Sequence, residues 1–575
     1  MVPLNKFLLV VVAAVAVLAS MEAGHATANY GWDGGGGDGQ WGTAANWSSN
    51  AVPAADDGAQ FNDTYGTGGR TIDLGGGTRT ISQLLINNTA TSGLVTLQNG
   101  TLVLNPAAAS GFSPSAALNW AGTSTQDFTI DANVTLQSGI GNIYFYTRPS
   151  ASTGTRTLSF GGNIQIANDT ATTQYLFRFG ANAATVLQKA DSVLSDNGAT
   201  ESTLLIDFAG TGQTVTLNGA NTFTLNSGKV VSLTGSGGTL NLGNNTALGV
   251  SGNLLSLGST GTTNASDTRS VLITGAQTIQ NSLNVQTYSG LNTIGGSNTT
   301  GTATYAGTVA LNRHASAASN VTNLTAASGG TVTFSGVVSN GTGTVGGAGI
   351  QKIGAGTVIL GNANTFTGGT TVTAGTLLVN NASGSGLGTD SVVVNGGTLG
   401  GTGAFTGGIS VNSGGTLAPG ASVQSLSSGA LSFASGSTFA YELDSGAAAS
   451  AGADLQRVSG NLTLNGTVTL TLANLSVGTF ALGTKFTLIN YNGSWNNGLF
   501  TYNASALTDD STFSFNGQTW EIDYNATSGG TNFSSEFLAS SSYVNLTAVV
   551  PESSSFVLAV LSLMVMVIFR RRRKL

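Results

Sequence analysis

Three tryptophans, Trp32, Trp41 and Trp47, stand among glycines in NYGWDGGGGDGQWGTAANWSSN. Exposed indole faces stack on sugar rings, which makes these the candidate glycan-stacking residues. Large aromatics also cover the apolar cross-section and strand edge at the open end of a β-helix, and that capping role is the first reading here, with sugar stacking the alternative. Asp38, within GGGGDG, offers a single carboxylate among turn glycines, and one copy is weak support for a calcium site. Acids pair at Asp56-Asp57, Glu442 with Asp444, and Asp509-Asp510, in turn-like stretches where carboxylates ordinarily shape the chain. Between Asp267 and Asp390 there is no Asp or Glu, so this span cannot supply the two placed acids of a glycosidase. Arg269, Arg313 and Lys352 are isolated cations there. Of two histidines, His25 lies near the N-terminus and His314 stands alone, with no nucleophile-elbow sequence to complete a triad. No phosphate loop is present. The chain has no cysteine, which excludes disulfides and thiolate metal sites. The expectation is a protein with no catalytic, cofactor-binding or metal residue, and hence no enzyme.

The elements that would position these residues are repeats. In Lys352–Ala421, alternating apolar residues lead three times into a glycine and a Thr-Leu pair: Val372 to Leu377, Val394 to Leu399, and Val411 to Leu417. The leucines are separated by 22 and 18 positions, a period of about 20 that signals a solenoid. Each unit is too short to enclose a core. Stacked in register, the units join their inward Val, Leu and Ile into one column while threonine coats the outside. This predicts an all-β, right-handed parallel β-helix of about 20 to 26 coils with β caps. A disordered Gly/Ser/Thr tract would lack the recurring apolar positions.

KIGAGTVILGNANTFTGGTTVTAGTLLVNN resembles the autotransporter-associated β-strand repeat of bacterial surface and passenger proteins. The resemblance implies a β-helical extracellular stalk and does not imply an enzyme. The Trp/Gly-rich opening, residues 29–65, is similar to the N-terminal cap of such proteins. Residues 66–421 read as the repeat region, strongest over 352–421, with looser coils before Gly210. Residues 422–548 read as a C-terminal β region, in which Asn465-Gly466 is a hairpin signal.

The ends carry export signals. Residues 1–28 form a secretory leader: Lys6, the apolar run Phe7–Leu18, and Ala26-Thr27-Ala28 as cleavage site. At the other end Phe556–Phe569 is apolar apart from Ser562, short of a full span unless extended upstream, and is followed by Arg570, Arg571, Arg572, Arg573 and Lys574. With Val550-Pro551-Glu552 ahead of it, residues 549–575 closely resemble the PEP-CTERM sorting signal: motif, transmembrane helix, basic cytoplasmic tail. Ser553 stands where that family usually has a second proline. The resemblance implies signal peptidase and an exosortase-like enzyme as partners, transient anchoring in an inner membrane of Gram-negative type, then release to the surface or extracellular matrix. A simple tail anchor is the competing reading.

Composition agrees with display outside the cell. Glycine numbers 84 and charged residues make up only 7%, with a net charge of −7. Because Lys6 and Arg570–Lys574 sit at the removable ends, the exported body is more acidic still, which excludes bulk electrostatic binding of nucleic acid. The expected role is that of a structural or adhesin-like surface protein, with exopolysaccharide or neighbouring cells as partners. The alternatives are a carbohydrate-binding protein using the tryptophans and, behind it, a β-helix polysaccharide-degrading enzyme.

Overall fold

A computed structural model describes residues 28–62, 70–87, 94–105, 116–121, 127–137, 143–148, 156–166, 174–179, 184–196, 203–208, 212–225, 230–235, 237–258, 268–287, 291–313, 321–342, 347–539 and 541–550. The leader, His314, Pro551, Glu552 and the Arg570–Lys574 cluster lie outside the described residues. Two compact units are present: Met1–Asn320 with Gly341–Val345, and Val321–Asn340 with Gly346–Leu575. Both are parallel β-solenoids, and helix among the described residues is limited to short 3-10 turns. No helix among the described residues is long and apolar enough to cross a membrane.

In the first unit each coil visits up to three sheets. The coil beginning at Val95–Gln98 continues through Thr101–Leu104 to Ala116–Ala121, and each strand pairs in parallel with its counterpart one coil on. Alternation selects the inward side chains. Val95, Phe128, Leu158, Val186, Val215, Leu240, Val271 and Ile294 therefore form one buried column through successive pairings. Val134, Ile164 and Leu194 follow each other at intervals of 30 residues, longer than the 22 and 18 of the Thr-Leu repeats. Longer early coils mean fewer of them, and the expectation of 20 to 26 coils, drawn from the short period, is not met: the described residues form about 13 turns.

In the second unit the short repeats stack as the period requires. Val358 pairs with Leu377, Leu377 with Leu399, Leu399 with Leu417, and Leu417 with Phe439. All five are fully buried. A parallel column, Val372, Val394, Val411, Phe433 and Leu464, lines the neighbouring sheet. Burial of each such side chain is worth roughly 1.5–3 kcal/mol.

Two sequence expectations are corrected here. The stack runs through residue 421 without a break, since Ile409–Val411 pairs in parallel with Leu431–Phe433, and that strand with Leu462–Leu464. Asn465-Gly466 is no hairpin. Gly466, at φ +65°, turns a solenoid corner, after which Val468–Asn474 pairs in parallel with Ser437–Leu443. An Asn-Gly pair fixes the local bend, while the neighbouring coil decides what the next strand pairs with. The Asn-Gly hairpin of this unit is Asn516-Gly517, with both φ positive, joining antiparallel Thr512–Phe515 and Gln518–Ala526. Antiparallel pairing of Lys485–Tyr491 with Ser542–Val549, and of that strand with Gln518–Ala526, closes the unit.

Candidate functional site

The three tryptophans are brought together, but inward. Trp32 and Trp47 meet edge to face at 5.1 Å, Trp41 and Trp47 at 4.7 Å, and all three contact Phe61. Their exposures are 2%, 0% and 0%. The Trp47 indole N–H donates to the Trp41 carbonyl at 2.9 Å. With all three rings buried, the glycan-stacking expectation has no surface to act through, and the rings form a hydrophobic plug at the first coil. The GGGGDG turn is organised by Asp38, whose oxygens accept from the Thr43 hydroxyl (2.6 Å), Gln40 N (3.0 Å) and Asn46 Nδ2 (2.7 Å). The Thr43 hydroxyl, then the Gln40 amide and Asn46, hold its carboxyl below the usual range.

The repeat block contains a feature the sequence reading passed over. Lys352 lies two positions after the inward Ile350, so alternation turns it inward as well, and it pairs with Val372 in the core column. It is fully buried. Its Nζ donates to the carbonyls of Ile353 (2.8 Å), Gly354 (2.8 Å) and Ala374 (2.9 Å). Three ammonium protons meet three acceptors, and these belong to corners of two successive coils. Burial pushes the ammonium down to about 8, so it stays charged at neutral pH. Gly375, at φ +63°, leaves the room: a β-carbon there would lie 2.7 Å from Nζ and 2.5 Å from the carbonyls of Gly354 and Gly356.

A second buried polar group lies near the antiparallel closure. The Tyr441 hydroxyl donates to the carbonyls of Asp454 (2.8 Å) and Thr487 (2.9 Å), and Asn532 Nδ2 donates to the same two oxygens. The Asp454 carboxyl accepts from Gln424 N (3.0 Å) and Glu442 N (2.9 Å). Desolvation outweighs these two bonds and pushes it up to about 8. The network ties together segments far apart in sequence.

The paired acids act largely on the backbone. Asp57 accepts from Ala28 N and Ala54 N, and Asp444 from Gly446 N and the Ser476 hydroxyl. Asp509, Asp510 and Asp523 converge with their oxygens within 4.8 Å of one another, close enough to take a cation, although Asp509 also accepts from Tyr524 N. Arg269 is buried. Val550 is 64% exposed at the end of the described chain.

On the first unit, a shallow cavity of about 390 Å³ lies along the sheet containing Asn133–Leu136 and Ile164–Ile166. Thr101, Asn133, Thr135, Asn163, Gln165 and Ser195 supply its polar lining, with no charged group. Asparagines fix its edge: Asn133 Oδ1 accepts from Asn163 N (2.9 Å) and Asn163 Oδ1 from Val193 N (3.0 Å).

Residues 350–379, the span that holds Lys352, its carbonyl cage and Gly375, match the passenger-associated-transport-repeat family. Repeats of this kind occur in secreted autotransporter passenger proteins. No curated protein matches the chain.

Proposed function

We propose that this protein is an exported structural component of the bacterial cell surface or extracellular matrix, working as a passenger-type solenoid whose task is display and adhesion. The observation that carries the reading is the in-register column Leu377, Leu399, Leu417, running through and beyond a transport-repeat unit. Such a stack is extended by adding coils and needs no cofactor. No catalytic role is assigned to it. On this reading, signal peptidase removes residues 1–28, the segment within 549–575 anchors the chain transiently in the inner membrane, and an exosortase-like enzyme cuts near Pro551-Glu552 before delivery to the surface. The intact mass of protein recovered from producing cells tests the route. Loss of residues 1–28 and of the tail beyond the Val550-Pro551-Glu552 motif is the expected result. A mass that retains Arg570–Leu575 refutes the sorting route and leaves a tail-anchored protein.

The polar cavity on the first unit favours a second reading, in which a neutral polysaccharide lies across Thr101, Thr135, Gln165 and Ser195. Uncharged hydrogen-bonding groups at the spacing of stacked strands suit hydroxyl-rich chains. If it is right, binding on a glycan array is lost in Thr135→Ala/Gln165→Ala while thermal unfolding is unchanged. An array without signal for the unaltered protein contradicts it.

A further inference from the structure

The seven large hydrophobic residues exposed among the described residues are not scattered evenly. Leu94, Val250 and Leu291 stand apart in sequence, whereas Leu475 (47%), Val477 (108%), Leu482 (63%) and Val550 (64%) belong to one loop and the strand end beside it. Gly483 N donates to the Ala548 carbonyl at 2.7 Å, and Ala548 N donates to Thr484 at 2.9 Å, so the 475–484 loop lies against the strand by which the described chain ends.

This loop is held in place. Gln518 bonds both main-chain atoms of Phe480 (2.7 Å each), and Asn516 Nδ2 donates to the Gly478 carbonyl at 2.8 Å. The Phe480 ring packs on Phe486 and Trp520. The loop is thus anchored by one aromatic while Leu475, Val477 and Leu482 are left projecting. No Asp, Glu, Lys or Arg occurs from Val458 to Thr484. An ordered, uncharged, apolar projection on a chain this polar marks an interaction face.

We infer that this face rests on a lipid surface, with Leu475, Val477 and Leu482 entering the headgroup boundary. The inference depends on the anchoring reading above, and the distance available decides in its favour. The apolar run begins at Phe556, six residues beyond Val550, and six residues reach at most about 20 Å. Insertion of that run therefore holds the loop near the headgroups. Apolar side chains projecting from an ordered surface partition into that boundary without needing charge. An acid on a neighbouring corner, Asp444, is bonded to Ser476 and Gly446. Attraction to anionic lipid is not required, so the contact is insensitive to salt.

Because the chain has no cysteine, Val477→Cys and Ser410→Cys each give one labelling site in the full-length protein; Ser410 is an exposed position on strand Ile409–Val411 of the same unit. Each labelled chain is reconstituted into phosphatidylcholine vesicles with an environment-sensitive fluorophore. The expected result is co-flotation, with quenching by an acyl-chain nitroxide roughly threefold stronger at position 477 than at 410, as for residues entering the interface. Co-flotation with position 477 as open to aqueous iodide as position 410 overturns the lipid contact while leaving the anchor intact. Shielding of position 477 from both quenchers also overturns it, and assigns the face to a second copy or to the tail itself. Failure to co-float removes the anchoring reading and this inference with it.

Discussion

Leu399→Ala is expected to lower the unfolding free energy of the second unit by about 3 kcal/mol, as removal of a fully enclosed leucine does when the site cannot collapse. Leu399 is fully buried and pairs with Leu377 below and Leu417 above, so its loss leaves a void bounded by two other coils. Parallel ladders on both sides hold the backbone at a fixed spacing and prevent the coils from closing the gap. Urea unfolding followed by circular dichroism gives the value. The outward Val393→Ala, on the adjacent sheet, serves as the control and is expected to change stability by less than about 0.5 kcal/mol. Equal effects at the two positions would mean that the strand alternation described here is wrong.

The second large effect is at Lys352. Lys352→Met keeps an unbranched side chain, one atom shorter, but leaves the carbonyls of Ile353, Gly354 and Ala374 without their donor. A buried acceptor left unsatisfied costs about 1–3 kcal/mol, and relief from burying the charge offsets only part of three such losses, so a net loss of about 2 kcal/mol is expected at pH 7. The pH profile separates this role from simple packing. Lys352 is pushed down to about 8, so from pH 8 towards the ordinary lysine value the unfolded chain binds more protons than the folded one, and stability rises with pH. Asp454 is pushed up to about 8, so from the ordinary aspartate range to pH 8 the folded chain binds more protons, and stability falls as pH rises. Together the two groups place a stability minimum near pH 8 in the second unit. Lys352→Met is expected to abolish the rise above pH 8, and Asp454→Asn the fall below it. A Lys352→Met profile that keeps its alkaline limb would show that the ammonium is not desolvated as described.

The column through Leu377, Leu399 and Leu417 was legible in the sequence because it is written twice, once as alternation within each strand and again as recurrence from coil to coil. Lys352 was not, although the signal was present: it stands two positions beyond Ile350 and in register with Val372, where a charged residue reads as exposed only if its place in the alternation is ignored. The sugar-stacking alternative for the tryptophans rested on a glycine-rich setting that looks solvated, and it fails because the rings pack on Phe61, which in turn meets Phe128 from a later strand. Asn465-Gly466 misled for a related reason. A turn sequence specifies a bend of the chain, and whether the next strand pairs with its predecessor or with the preceding coil is settled by side chains about 30 residues away, here Phe439 against Leu470. Functional residues were the least legible, since on the proposed display role function lies in a repeated surface instead of a cluster of reactive groups.

The central claim, that repeats lie one above another in register, is tested most directly by a cysteine pair in this cysteine-free chain. Val393 and Ser410 are register partners on adjacent coils, at a strand spacing of about 4.8 Å. The account predicts that Val393→Cys/Ser410→Cys forms an intramolecular disulfide under mild oxidation, whereas Val393→Cys/Val411→Cys, whose second residue faces the core, does not. Equal cross-linking of both pairs, or of neither, would contradict it.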